Sequence, residues 1–238
     1  MYIKKIWYNN HRWEGEKLNL IVFLLLSIIC IGLIYVVHKY FGKEELYFLT
    51  IIYTIISFLL SFKIINLFGL DINMGIIFSS GLLVILYYFV NRYSTKETRN
   101  LFLLQSGSLV TLEALFLLTS LLNPSLNDSI SMVYKDMLVV GAPIFIMYPI
   151  SFVLTYYLSS YCFEELKKDN KNKILKTILT SLGITFISVF VFIYFSYAVI
   201  YDFSSSLMLT VGNYFIEALI IVIYILCINK ILSIKKVK

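Results

Sequence analysis

Two carboxylates carry the most chemical potential in this chain. Glu113 and Glu217 each sit near the middle of a long apolar run. A carboxylate placed in hydrocarbon draws in a proton, water or a partner. Either residue could therefore hold a proton, a cation or the amino groups of a heterocycle. As plain structure, either could instead make a helix–helix hydrogen bond. Around them, polar residues recur at helical spacing. Thr50, Tyr53, Ser57 and Ser61 share one face, as do Asn73, Ser80, Tyr87 and Asn91. Ser106, Glu113 and Ser120 align, then Tyr148, Ser151, Thr155 and Ser159. Thr177, Ser181, Thr185 and Ser188 follow, and last Thr210, Asn213, Glu217 and Tyr224. A single Ser or Thr in such a run usually packs helices or bonds to its own backbone. Six coherent stripes point instead to a polar cavity at the centre of a bundle.

Other reactive residue types are sparse. The only histidines, His11 and His38, lie ahead of the second apolar run, which leaves no His-based zinc site or triad for the core. There is no phosphate-binding glycine loop with its lysine and no nucleophile elbow. Cys30, Cys162 and Cys227 show no metal or redox spacing and read as apolar filler. No metal, cofactor or catalytic constellation is expected, and the chain is not read as an enzyme. Pro143 and Pro149 follow Gly141 in the fifth run and could kink it, freeing backbone carbonyls.

The elements that must position these residues follow from composition. Sixty per cent of 238 residues are hydrophobic and 14% are charged, with a mean hydropathy of +0.86. Soluble domains carry about 25% charged residues, so a soluble globular protein is excluded. Apolar runs over 19–37, 47–65, 73–90, 101–122, 137–162, 175–200 and 207–231 are each about as long as a bilayer span requires. The expected fold is all-α: a polytopic membrane bundle with a six-helix core and one extra N-terminal transmembrane helix. Its parts are a basic segment and first helix at 1–45, the core at 46–234, and a basic tail at 235–238. The first run shows only Ser27 and Cys30 as polar features and could be re-entrant or interfacial. Its basic leader resembles a signal peptide, but no small-residue cleavage site follows. The connections, 123–136 and 163–174 being the longest, leave no room for a folded extramembrane domain.

Lys and Arg set the orientation. Under seven spans one face holds Lys39, Lys43, Arg92, Lys96, Arg99, Lys167, Lys168, Lys171, Lys173, Lys176, Lys230, Lys235, Lys236 and Lys238, which is most of the 20 basic residues. That face is expected to be cytoplasmic, with the C-terminus inside a plasma or inner membrane. The net charge of +6 reflects this asymmetry rather than nucleic-acid binding.

The order of features over about 46–234 resembles the queuosine-precursor transporter family, also called vitamin-uptake-transporter-like. The resemblance rests on Asn66-Leu67-Phe68-Gly69-Leu70, on the loop from Val90 to Asn100, and on the helix from Tyr148 to Leu166. It also rests on Thr180-Ser181-Leu182-Gly183-Ile184-Thr185-Phe186-Ile187-Ser188 and on Gly212-Asn213-Tyr214-Phe215-Ile216-Glu217. Within it, Tyr87 stands where the family has an aspartate, Asn91 where it has a glutamate, and Pro143 where it has an arginine. Tyr156 stands for a glutamine, Ser159 for an aspartate, and Thr185 and Ser188 for an amide and an aspartate. Glu217 stands for a lysine. The resemblance implies uptake of a small planar solute, a 7-deazaguanine base. Tyr87, Tyr148, Tyr156 and Tyr224 would form aromatic walls, and Asn91, Ser159, Thr185, Ser188, Asn213 and Glu217 would read polar edges. Glu113 and Glu217 are the candidates for proton or ion coupling. Partners are then the solute, the bilayer, and a homo-oligomer or partner subunit. The alternative is a substrate-capture or regulatory membrane subunit serving a separate ATPase, docked through the basic loop at 163–176.

Overall fold

The structure is a computed structural model that describes residues 2–122, 138–168 and 172–233, with side chains described over 15–122, 138–168 and 172–230. The loop at 123–136, Lys171 and the tail at 235–238 lie outside the described residues.

Among the described residues the chain is helical apart from one hairpin and short turns. Helix α1 (Tyr2–Tyr40) leads into α2 (Lys43–Leu60), then strands β1 (Ile64–Leu67) and β2 (Leu70–Asn73). Helices α3 (Ile76–Arg92), α4 (Thr95–Ser120), α5 (Ala142–Lys168) and α6 (Lys173–Val189) follow. A π-helical turn, Phe190–Tyr194, joins α6 to the short α7 (Phe195–Tyr197), and α8 (Phe203–Ser233) closes the described chain. The long helices alternate in direction, with α6, the π-turn and α7 forming one continuous run. Lys43, Arg92, Lys168 and Lys173 therefore gather at one end, and the hairpin lies at the other.

Among the described residues, five helices are long and apolar enough to cross a membrane: Gly15–Tyr40, Thr95–Ser120, Ala142–Lys168, Lys173–Tyr197 and Phe203–Lys230. This fits a multi-pass membrane protein. The expected second and third runs come out shorter, as helices of 18 and 17 residues. The reason is the antiparallel pairing of Ile64 with Asn73 through Leu67 with Leu70, which removes residues from both runs. The two-residue turn Phe68-Gly69 has positive φ at both positions, 55° and 78°. That is the geometry whose twist suits a tight hairpin.

Helix α3 is the hub. Every residue from Ser80 to Val90 is buried, the state expected of a helix that is hydrophobic all round and encased by protein. It packs against α1, α2, α4, α5 and α8. The outward faces of the longer helices expose Leu24, Ile28, Val110, Leu117, Ile146, Phe186 and Phe215, as a lipid-facing surface does.

Helix α1 runs the depth of the bundle. Asn19 donates to the Asn66 carbonyl of the hairpin (3.1 Å) at one end. His38 meets the Tyr88 hydroxyl (2.7 Å) near the other. Between them, the Tyr224 hydroxyl donates to the Ser27 carbonyl (2.9 Å), and Tyr53 donates to the Cys30 carbonyl. Gly81 of α3 makes the approach feasible, since a Cβ there would lie 2.6 Å from Cys30 Sγ. The two prolines behave differently. Pro143 falls in the first turn of α5, where a missing N–H costs nothing. Pro149 alone is interior and removes one helical hydrogen bond.

Candidate functional site

A cavity of about 80 Å³ lies between α2, α3, α4, α5, α6 and α8. One wall is Ser57 and Ser61 of α2 with Ser79, Leu82, Leu83 and Leu86 of α3. Facing it are Tyr148, Ser151, Thr155 and Tyr156 of α5 and Thr185 and Ser188 of α6. Gln105 of α4, Phe192 of the π-turn, Asn73 and Glu217 complete the lining.

Among the described residues Glu217 is the only carboxylic acid on that lining, and no Lys, Arg or His is among the lining residues. Its Oε1 accepts a hydrogen bond from Ser79 Oγ (2.8 Å). The carboxylate thus has a hydroxyl partner and no counter-cation in the cavity. Opposite it, α5 and α6 are laced together. Ser151 and Ser188 hydroxyls meet at 3.1 Å, Thr155 donates to Ser188 Oγ at 2.8 Å, and Ser151 Oγ also reaches the Ser188 carbonyl at 3.1 Å. Thr185 Oγ1 is buried on the lining with no hydrogen-bond partner.

Aromatic rings close the hairpin side. Phe58 packs edge-on against Phe62, Phe145 and Tyr148, and Tyr148 against Phe192, all with centroids 5.2–5.4 Å apart. Tyr156 stacks on Phe102 at 4.0 Å, and its hydroxyl donates to the Thr98 carbonyl (3.1 Å).

Of the residues singled out from the sequence, Tyr148, Tyr156, Thr185, Ser188 and Glu217 share this cavity. From the polar stripes Ser57, Ser61, Asn73, Ser151 and Thr155 join the lining, while the remaining candidate residues lie elsewhere. Asn213 is fully engaged with backbone: its Oδ1 accepts from the Asn73 amide (2.8 Å), and its Nδ2 donates to the Asp71 and Leu209 carbonyls. It clamps the hairpin to α8. Tyr87 donates to Asn229 Oδ1 (3.2 Å), and Asn91 donates to the Tyr87 carbonyl (2.8 Å), both nearer the Lys-rich end. Tyr224 is tied to α1 as described. Ser159 is buried one turn beyond Thr155, off the cavity lining. Glu113 lies further toward the hairpin end of α4, half-buried, with Oε1 lacking a partner. Tyr148 stands within electrostatic range of both carboxylates.

Three lining residues carry no strong sequence signal. Ser79 adjoins Ser80, which falls in the visible stripe but bonds to its own helix at Ile76. Gln105 adjoins Ser106, which falls in the visible stripe but lies off the lining. Phe192 reaches the cavity because the π-turn carries the chain off α-helical phase. Among the described residues, no group of three His, Cys, Asp or Glu converges to hold a metal ion. Comparison with protein-family models, curated proteins and solved structures yields no match.

Proposed function

We propose that the chain is a membrane carrier for a small polar solute, with Glu217 as the group that binds the solute or its coupling proton. The observation that supports this reading is a buried carboxylate on a cavity shared by six helices, held by Ser79 and facing hydroxyls rather than a cation. A carboxylate so placed can take up a proton, or accept two N–H groups from one ligand. Tyr148, Tyr156 and Phe192 supply flat walls beside it. In this reading the Lys-rich end is cytoplasmic, in a plasma or inner membrane. The resemblance to queuosine-precursor transporters makes a 7-deazaguanine base the first solute to try.

A volume of about 80 Å³ accommodates a few waters, against the roughly 300–1,000 Å³ of sites that hold drug-sized ligands. Seating a base would therefore require the aromatic cluster or α5 to shift. Uptake of tritiated queuine by a queuosine-synthesis-deficient strain expressing the protein tests the reading. Accumulation above the empty-vector strain, lost in E217Q, is expected. No accumulation despite confirmed membrane insertion removes this solute, and a wider panel of small polar solutes giving none removes the carrier.

A further inference from the structure

The hydroxyl seam between α5 and α6 does not stop at the cavity. These helices run antiparallel, and the Ser151–Ser188 contact fixes their register. One turn toward the Lys-rich end brings Thr155 level with Thr185, and the next brings Ser159 level with Ser181. A further turn brings Phe163 level with Thr177. Ser159, Thr177, Ser181 and Thr185 are 0–2% exposed; the hydroxyls of Ser159, Ser181 and Thr185 have no hydrogen-bond partner, and Thr177 sits against the Tyr87 side chain.

Hydroxyls without partners also occur at Ser106, Ser160, Ser196 and Ser206, but among the described residues it is along this seam that they follow one another on facing helices. Elsewhere Thr54, Ser80 and Thr210 each satisfy their hydroxyl on the carbonyl four residues back, at 2.7–2.8 Å. A seam built only for packing would do the same. Buried hydroxyls left without partners are costly unless something polar meets them in another state of the protein. At the far end, the Phe163 and Tyr87 rings meet edge-on with centroids 5.3 Å apart, and Tyr87 is held by Asn229.

We propose that Ser159, Ser181, Thr185 and Thr177 line the leg of the solute path that joins the Glu217 cavity to the Lys-rich end, closed in this conformation by Phe163 and Tyr87. Its occupants are water and a small solute that exchanges hydrogen bonds with hydroxyls. The proposal rests on the carrier reading and assigns it a route.

The test uses silver ion, a thiol reagent small enough for a narrow path, on the full-length protein in membrane vesicles. Cys30, Cys162 and Cys227 are first replaced by Ala, and S181C and S159C are made singly. L179C, on a lipid-facing position of the same helix, is the control. Silver should modify S181C and S159C at least about tenfold faster than L179C, since a thiol ionises only where water reaches it. It should do so from the side on which an impermeant reagent labels K173C. Reaction no faster than L179C in both variants overturns the proposal, as does reaction only from the hairpin side. Thermal melting checks that each variant folds, and either alone suffices. Reactive cysteines in a protein that transports nothing would keep the path and remove the carrier. Robust uptake with both cysteines inert would do the reverse.

Discussion

Glu217 and Ser79 are the pair on which function should turn. Replacing the acid by its amide keeps the volume and removes the charge. E217Q is expected to lower uptake by about ten- to a hundredfold, the worth of a hydrogen bond to a charged group. Its melting temperature should stay close to that of the parent; an equal loss of folded protein would make Glu217 structural. S79A should cost about 1 kcal/mol of stability and raise the solute concentration needed for half-maximal uptake. Outside the spans, Asp202 accepts from the Ser205 hydroxyl (2.6 Å) and from the Ser205 and Ser204 amides at the start of α8. The Ser205 hydroxyl first, then these amides, hold its carboxyl below the ordinary value of 3.8. A carboxylate lowered by folding stabilises above its unfolded pKa and loses that contribution as pH falls through the folded one. The melting-temperature advantage over D202N should therefore be present at neutral pH and vanish below pH 3.8. A constant difference across that range would show that the charge is idle. At this scale the sequence is informative where polarity is rare. Glu217 is legible because nothing else near it is charged. Asn213 reads equally well as a ligand, yet its three polar contacts are all to backbone, which no spacing rule reveals.

The long helices are legible as elements, since a run of apolar residues in a bilayer has one solution. The hairpin is hidden. Leu70-Asp71-Ile72-Asn73 does alternate apolar and polar, but the apolar flanks submerge four residues of period two. Phe68 holds a left-handed backbone at 71% exposure, a conformation that Asn or Gly adopts more easily. F68N should raise stability by up to about 1 kcal/mol, and a fall in melting temperature would mean that Phe68 has an anchoring role. Close approach of α1 to α3 depends on Gly81. G81A pushes a methyl into Cys30 Sγ and should cost about 1–3 kcal/mol. Adding C30A should return part of that loss, and strict additivity of the two changes would argue against the contact. Gly107 has open space around its Cβ position, so G107A should be neutral or mildly stabilising in the same melts.

For the whole molecule, the alternation of helices places the hairpin and the Lys-rich cluster at opposite ends. In oriented vesicles F68C and K173C should react with an impermeant thiol reagent from opposite sides. Labelling of both from one side would contradict the arrangement. The six-helix cavity was foreseeable as a pooling of stripes, but its membership was not. Stripes assume a constant 100° per residue, and the π-turn at Phe190–Tyr194 breaks that count. Beyond it, Tyr197 reaches the Ser61 carbonyl (2.9 Å) and Asn73 Nδ2 (3.2 Å), joining the sixth helical run to the hairpin. A π-turn absorbs one extra residue, so removing one residue here would restore ordinary winding and keep Tyr197 in phase with the hairpin, whereas removing a second would swing it by about 100° and sever that link. Phe190 and Phe195 face outward and could be exchanged for other apolar residues. On the outward face of this stretch, then, the spelling is free, and the line carries one letter to spare.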